Sequence, residues 1–257
     1  MKTLYGGNDI NGKYTIVREG EAYSSIYGYE YYGVNKVNGN PIWVKADGSL
    51  VQFDTFGDYD YKVYDPSNPA DVSKPSTLSS TEDKKILGST IPTWFGGFTN
   101  TFTYKGFDLN IFLRFSGGNK IMNVTTQDQM LNLGFANQGR EILGRWKSEA
   151  EPGDGKTPKI GYKDGDALFN SGQADSHFVE KGDFLKLANV TLGYNLPKEW
   201  LAPIKLSGAR IYIQGQNLFT LTGFSGLDPE TFATDTGYTY TAQPQQRSFT
   251  VGLNITF

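Results

Sequence analysis

The stretch that decides the fold is RSFTVGLNITF, residues 247–257. Every second side chain in it is apolar, namely Phe249, Val251, Leu253, Ile255 and Phe257. Because the side chains of a strand alternate between its two faces, one face is wholly apolar and the other is small or polar. The stretch has about the length that a tilted strand needs to cross a bilayer.

Two kinds of protein can end a strand in this way. In a soluble sandwich, the strand shows an apolar, unpaired flank to water, which invites aggregation. In a membrane barrel, the same strand is paired on both sides and faces lipid. The pattern favours the barrel, and the sandwich remains the alternative.

The composition bounds the class of protein. The chain has 257 residues, with 31 Gly, 17 Phe and 16 Tyr, a richness in glycine and aromatics that favours an all-β protein. The net charge of −3 leaves no basic excess for phosphates, so no nucleic-acid partner is expected. The absence of cysteine excludes disulfides and thiolate chemistry. No run approaches the roughly 18 apolar residues of a membrane helix.

Five strands are predicted from alternation. The first two form a hairpin around Lys105–Gly106, where glycine supplies the positive φ of a tight turn. A bulge is expected between Gly215 and Leu218, where the parity of the apolar residues slips. The predicted strands are 94–104, 107–116, 184–196, 209–221 and 247–257.

The linkers between these strands are alternately short and long. This alternation is typical of an outer-membrane barrel, with tight turns on the inside and long loops on the outside. Residues 1–93 are accordingly predicted to be an extracellular loop region, with one or two short strands in SSIYGYEYYGVNKV. Further extracellular loops are expected at 117–183 and 222–246, the first with helical turns in TTQDQMLNLG and REILGRWKSEAE.

Charges are scarce in the predicted strands. Asp108, Arg114 and Arg210 share the polar face, as a water-filled lumen allows. Lys186 and Arg247 share the parity of the apolar face, but they lie at strand ends near the head groups. Aromatic residues gather at the strand ends, as in membrane-interface belts. The predicted interface anchors are Trp94, Tyr104, Phe107 and Tyr194.

Catalytic and metal chemistry is not indicated. The single histidine, His177, is predicted to be a loop residue, so neither an enzyme nor a cofactor is expected. The segment KDGDALFN, with Asp164 and Asp166, meets part of a calcium-loop pattern but lacks its terminal glutamate, which favours a solvated loop. Aromatic side chains in the loops either stack on sugar rings or pack the loops together, and packing is favoured. The ligand-stacking candidates are Trp43, Trp146, Tyr29 and Tyr31.

Several segments resemble the SusC/RagA family of TonB-dependent outer-membrane transporters. The resemblance lies in ILGSTIPTWFGGFTNTFTYKGFDLNIFLRFSGGNKI, HFVEKGDFLKLANVTLGYNLP, IYIQGQNLFTLTGFSGLDPE and PQQRSFTVGLNITF, in that order, and GEAYSSIYGYEYYGVN is similar to a loop segment that precedes them. The resemblance implies the last five strands of a barrel of about 22 strands that encloses a plug. The chain is then a C-terminal fragment whose Met1 lies in an extracellular loop.

The resemblance also implies a function and partners. The terminal pattern met by Thr250, Gly252, Ile255 and Phe257 is similar to the family's assembly signal for the barrel-folding machinery. The whole protein is expected to import oligosaccharides or peptides across a Bacteroidetes-like outer membrane. Its expected partners are a SusD-like surface lipoprotein and TonB, which is contacted through a part missing here. The alternative is a secreted or surface glycan-binding β-sandwich with the loop tryptophans as its site.

Overall fold

The computed structural model describes residues 3–130, 137–160, 162–163, 166–167, 173–231 and 236–257. The chain divides into two compact units. Unit 1 comprises Met1–Ile91, Asn119–Glu180 and Phe232–Ala242, and unit 2 comprises Pro92–Gly118, Lys181–Thr231 and Gln243–Phe257. None of the helices in these described ranges has the length and apolar character needed to traverse a membrane.

Strands dominate the described residues. In chain order they are β1 Ile10–Asn11, β2 Thr15–Val17, β3 Ser25–Val34, β4 Pro41–Val44, β5 Leu50–Phe53, β6 Tyr61–Val63, β7 Lys84–Ser89, β8 Trp94–Tyr104, β9 Phe107–Gly117, β10 Lys120–Asn123, β11 Tyr162–Lys163, β12 Asp166–Ala167, β13 Ala174–Asp175, β14 Val179–Lys181, β15 Phe184–Asn195, β16 Gly208–Thr222, β17 Tyr238–Thr239 and β18 Ser248–Thr256. The helical segments are short: α1 Lys198–Leu201, a π-turn at Thr126–Met130, and 3-10 turns at Tyr5–Gly7, Arg140–Gly144, Ser176–Phe178 and Ala202–Ile204.

Unit 2 contains one antiparallel sheet in the order β8-β9-β15-β16-β18. Each strand pairs with the next strand of this sheet in chain order. The hairpin β8–β9 closes through Lys105 and Gly106, which both have positive φ, at 46° and 87°. A two-residue turn of this kind matches the twist of the flanking strands. The observed strand bounds agree with the predicted ones to within one residue at each end.

A bulge interrupts this sheet in its middle strand. Leu187 pairs with both Leu113 and Phe219, whereas Asn189 pairs with Phe112 and Gln216. Ala188 is therefore an extra residue opposite β9, and two residues of β16, Asn217 and Leu218, lie opposite Ala188. The predicted bulge between Gly215 and Leu218 is confirmed. Because side chains alternate, each inserted residue moves the subsequent side chains of its strand to the other face.

Unit 1 contains more regular structure than the sequence predicts. Its largest sheet runs in the order β1-β2-β3-β4-β5-β6, and both β7 and β13 also pair with β3. A small sheet runs β14-β10-β17, and β11 pairs with β12. Residues 1–93 contain seven strands instead of the predicted one or two, because most of these strands are short and lack clean alternation, and the extracellular position of this region stays a prediction. The helical turns expected in TTQDQMLNLG and REILGRWKSEAE are present at Thr126–Met130 and Arg140–Gly144, although residues 131–136 lie outside the described ranges.

Two clusters of buried side chains hold unit 1 together. One contains Tyr14, Ile26, Met122, Val124, Ala174 and Phe178. The other contains Tyr29, Trp43 and Val51, with Tyr31 and Tyr61 packed against it. Each cluster thus brings together segments that are distant in the chain, because a short strand cannot bury an apolar face alone.

A buried carboxylate lies beside the second cluster. Trp43 Nε1 donates to Asp175 Oδ2 at 2.6 Å, and the other oxygen of Asp175 accepts from the backbone N–H of His177 at 2.8 Å. Burial raises the pKa of Asp175 to about 6, an effect that these two hydrogen bonds oppose. Burial also lowers the pKa of His177, whose ring packs edge-on against Tyr31, to about 4.

These two residues are predicted to affect the stability of unit 1 in opposite directions. In His177→Asn, only Asp175 still titrates with a shifted pKa. Its protonated form is the stable one in the fold, so its contribution to the stability is fully present below the pKa of the unfolded chain and is lost as pH rises through about 6. We expect this variant to be less stable at neutral pH than at mildly acidic pH, by about 2 kcal/mol. In Asp175→Asn, the lowered pKa of His177 gives stability that is lost as pH falls through about 4, so the slope reverses.

Amide hydrogen exchange of the buried strand β4, measured at neutral and at mildly acidic pH, checks how the stability of each variant changes with pH. The unaltered chain, in which the two contributions oppose each other, is the reference. Slopes of the same sign in both variants contradict the assignment.

Candidate functional site

The two faces of the five-stranded sheet in unit 2 have opposite character. One face, here called the apolar face, forms continuous rows across the strands; for example, Leu253 pairs with Ile211, which pairs with Tyr194 and then Phe107. These side chains are exposed: Phe249 is 69% exposed and Val251 is 75% exposed. Soluble monomers rarely expose so many large apolar side chains on one sheet, so this face is an interaction surface.

The other face of this sheet, here called the polar face, carries charged and amide side chains. Arg210 forms an ion pair with Asp108, with Nε donating to Oδ1 at 2.9 Å. Asn195 Nδ2 donates to the same oxygen at 3.2 Å. The guanidinium passes directly over Gly193, where a Cβ atom would lie 2.3 Å from Nη2. Three neighbouring strands are therefore braced by one ion pair.

The structure corrects the predicted position of Lys186. Without a bulge, Lys186 shares the parity of Val190 and Leu192 on the apolar face. The extra residue Ala188 reverses that parity, and Lys186 pairs instead with Arg114 and Thr220, on the polar face. Its side chain is 1% exposed and lies 3.2 Å from Asp228 Oδ2. The head-group position predicted for Lys186 is therefore wrong.

Aromatic side chains lie at both ends of the sheet. Trp94 begins β8 and stands 6.1 Å from the ring of Phe115. At the tight-turn end, Tyr104 is exposed and the rings of Phe107 and Tyr194 lie 4.5 Å apart. These are the positions that interface belts require, and the role of the four predicted anchors Trp94, Tyr104, Phe107 and Tyr194 as membrane anchors stays a prediction.

The last strand contains the predicted assembly pattern. Ile255 belongs to the apolar face. Phe257 lies one residue beyond the strand and has the parity of the same face, and both side chains are exposed. Thr250 and Gly252 lie on the polar face. The ring of Tyr212 covers Gly252, and a Cβ atom at this position would lie 2.2 Å from its Cζ. Any larger residue here would displace the Tyr212 ring, so Gly252 also has a packing role.

The ligand-stacking candidates differ in accessibility. Trp43 is 1% exposed and Tyr29 is buried, so neither ring offers a face to a sugar. Tyr31 is half-buried, and its hydroxyl donates to the Lys156 carbonyl at 2.8 Å. Trp146 Nε1 donates to the Lys36 carbonyl at 2.8 Å. All four contact other segments of unit 1, and a ligand-stacking role for Tyr31 and Trp146 stays a prediction.

No group of side chains suited to a metal ion occurs within the described parts of the chain. The segment KDGDALFN lies at residues 163–170, and its side chains, including Asp164 and Asp166, are outside the described residues. His177, predicted as a loop residue, lies in the 3-10 turn Ser176–Phe178. Sequence reasoning missed the acidic pair Asp228 and Glu230. The presence of a lysine, Lys186, within a strand could have indicated that an acidic partner lies nearby.

Comparison with known proteins gives concordant results. No family model matches the chain. The chain is 33% identical over 262 residues to the TonB-dependent receptor P3 of Formosa agariphila, covering 98% of this chain and 24% of that protein. It is 28% identical over 173 residues to the TonB-dependent receptor SusC of Bacteroides thetaiotaomicron, covering 63% of this chain and 15% of that protein. The solved structure of the RagAB peptide transporter matches with a TM-score of 0.73 and 25% identity, over 99% of this chain and 25% of that chain.

A sheet with a continuous exposed apolar face and a charged opposite face, matched by these relatives, is part of the wall of an outer-membrane β-barrel. The chain belongs to the TonB-dependent receptors of the SusC/RagA type. It spans about a quarter of the length of the first relative and of the solved transporter chain. The predicted family, fold class and outer-membrane location are confirmed.

The opposite character of the two faces predicts opposite tolerance to charge at adjacent positions. Val190, on the apolar face, pairs with Ile111 and Gly215, while Thr191, on the polar face, pairs with Asn110 and Gln214. We expect Val190→Arg to cost about 2–4 kcal/mol, because a cation on the lipid face must be dehydrated near the middle of the bilayer. Thr191→Arg should cost less than about 1 kcal/mol, because water reaches the polar face.

Denaturant unfolding of the full-length protein in lipid vesicles measures the difference. Both substitutions add the same side chain at neighbouring residues, so each controls for the size and charge of the other. Equal losses in the two variants contradict the assignment of the faces.

Proposed function

We propose that the whole protein is a TonB-dependent importer of nutrients across the outer membrane, with oligosaccharides or peptides as its substrates. One observation carries the proposal: the five-stranded sheet has an exposed, predominantly apolar face and a charged, hydrogen-bonded face on the other side. A sheet of this kind separates lipid from an aqueous path. The sandwich alternative is disfavoured, since a sandwich covers its apolar faces with a second sheet.

The substrates and partners of the relatives support the finer parts of this proposal. The solved relative is described as a RagAB peptide transporter, and another relative is SusC. By analogy, the whole protein works with a SusD-like surface lipoprotein and draws its energy from TonB through a part not present in this chain. Import of this kind selects and passes its substrate without making or breaking bonds, so no enzymatic activity is proposed.

The position of the chain in the membrane follows from the same proposal. The tight turn at Lys105–Gly106 faces the periplasm, and the long connections face outward. Residues 1–93, 117–183 and 222–246 are then extracellular and fold together as most of unit 1. The final strand carries the assembly signal at Thr250, Gly252, Ile255 and Phe257, which the barrel-assembly machinery reads.

Uptake is tested with the full-length protein in its own host. Cells lacking the protein are expected to lose growth on either an oligosaccharide or a peptide source, and to recover it when the gene is restored. Cells lacking TonB should show the same loss, because the importer depends on its energy. The neighbouring lipoprotein should co-purify with the full-length protein. Growth unchanged on every oligosaccharide and peptide source contradicts the proposal.

The assembly signal is tested at Gly252. We expect Gly252→Ala to lower the amount of folded protein in the outer membrane several-fold, as measured by heat-modifiable migration of full-length protein. Gly208→Ala is the matched control, because a Cβ atom there meets only Thr256 at ordinary contact distances of 3.6 and 3.7 Å.

A second substitution separates recognition from packing. Removing the covering ring with Tyr212→Ala relieves the steric clash in the double variant Gly252→Ala, Tyr212→Ala. If the glycine is read by the assembly machinery, insertion stays low in the double variant. Full recovery of insertion shows that Gly252 serves packing alone.

A further inference from the structure

Four charged side chains meet on the polar face of the sheet in unit 2. Two are cations of neighbouring strands, Lys186 of β15 and Arg114 of β9, which pair directly across the sheet. Two are anions of the connection after β16, Asp228 and Glu230. Lys186 Nζ contacts Asp228 Oδ2 at 3.2 Å and also Glu230 Oε2, and Arg114 Nη2 donates to the same Glu230 oxygen at 2.6 Å.

Both anions belong to the first of the two ends of the connection between β16 and β18. We call residues 223–231 and 243–247 the loop roots. Asp228 joins them, because its Oδ1 accepts from the Glu230 N–H at 3.0 Å and its Oδ2 accepts from the Gln245 N–H at 3.2 Å. Gln245 Oε1 in turn lies 3.4 Å from Arg114 Nη2. Both loop roots are thus attached to the same pair of cations.

Burial makes this cluster sensitive to the loss of any one of its charges. Lys186 is 1% exposed and Asp228 is 6% exposed, so neither charge retains its full hydration. The cluster is balanced, with two cations and two anions. Removal of one partner leaves an uncompensated buried charge, which is far more costly than loss of a surface ion pair. The loop roots therefore cannot leave the polar face without breaking the contacts of the two anions with Lys186 and Arg114.

We propose that Lys186, Arg114, Asp228 and Glu230 form a charge latch that fixes the loop roots against the polar face of the sheet. This inference rests on the proposed function in one respect: in an importer, the polar face lines the transport path. The loop roots are then a permanent part of that lining and do not move as a lid when substrate passes. Lys186 and Arg114 are positioning residues, acting through the loop roots.

Further contacts agree with a fixed attachment. Asn217 Nδ2 of the bulge donates to the Gln246 carbonyl at 3.0 Å, and the Thr222 hydroxyl donates to the Asp183 carbonyl at 2.8 Å. Phe224, which lies within the first loop root, is 6% exposed. A root that swung freely would instead show its aromatic side chain to solvent.

Cysteine labelling of the full-length protein in isolated outer membranes tests the latch. This chain has no cysteine, so Phe224→Cys provides a single reporter once any other thiol of the full-length protein is removed. We expect slow reaction with a polar maleimide in the Phe224→Cys protein. Addition of Lys186→Met should raise the labelling rate about tenfold or more, because the stranded acids pull the roots into water.

Two controls define the result. Leu227→Cys, at a position that is 78% exposed, should react rapidly in every background. Arg210→Met breaks the other ion pair of the same face, which holds no loop root, and should leave the labelling of Phe224→Cys unchanged. Rapid labelling of Phe224→Cys with the latch intact, or no acceleration by Lys186→Met, overturns the proposal.

A second variant covers the case in which Lys186→Met fails to insert. Asp228→Asn with Glu230→Gln removes the charges from the loop side and leaves every strand residue unaltered, so the barrel wall should still form. The same acceleration is expected, and unchanged slow labelling again overturns the latch. Because labelling does not depend on transport, failure of the importer proposal in uptake assays is a separate outcome.

Discussion

Backbone hydrogen bonding in the absence of water is the constraint on which unit 2 depends. An N–H or C=O group facing lipid has no solvent partner, and each unpaired group costs several kcal/mol. The antiparallel ladder satisfies these groups within the sheet, from β8 through β9, β15 and β16 to β18. Side chains are then free to differ by face alone, apolar on one side and polar on the other. Alternation in the sequence is the direct record of this constraint.

The same constraint explains which parts of the fold the sequence predicts. The five strands of unit 2 are long and alternate cleanly, so their bounds agree with the structure to within one residue. The position of Lys186 could not be found by parity, because a single extra residue, Ala188, reverses the faces. The bulge was foreseen on β16, at Gly215 to Leu218, but its counterpart on β15 leaves no local mark in the sequence.

Unit 1 shows where sequence reasoning stops. Its strands have only two to ten residues and pair across long separations, as when β13 joins β3 with Ala174 opposite Gly28. Glycine is required at position 28, because a Cβ atom there would lie 2.1 Å from the Ala174 carbonyl oxygen. The buried contact between Trp43 and Asp175 is likewise set by tertiary packing. Of the four aromatic residues singled out by composition, Trp43 and Tyr29 are interior, since composition reports neither burial nor partners.

Passage of the Arg210 side chain over Gly193 has a consequence for the assembly of the barrel. The ion pair with Asp108 spans three strands, and a side chain at the crossing point would displace the guanidinium from its present position. A slip of β15 by one position against its neighbours would place Leu192 or Tyr194 beneath the guanidinium and block the pairing. The ion pair therefore favours the correct strand register during assembly. Strands that pair in a shifted register cannot form it, and only the correctly aligned sheet is stabilised by it.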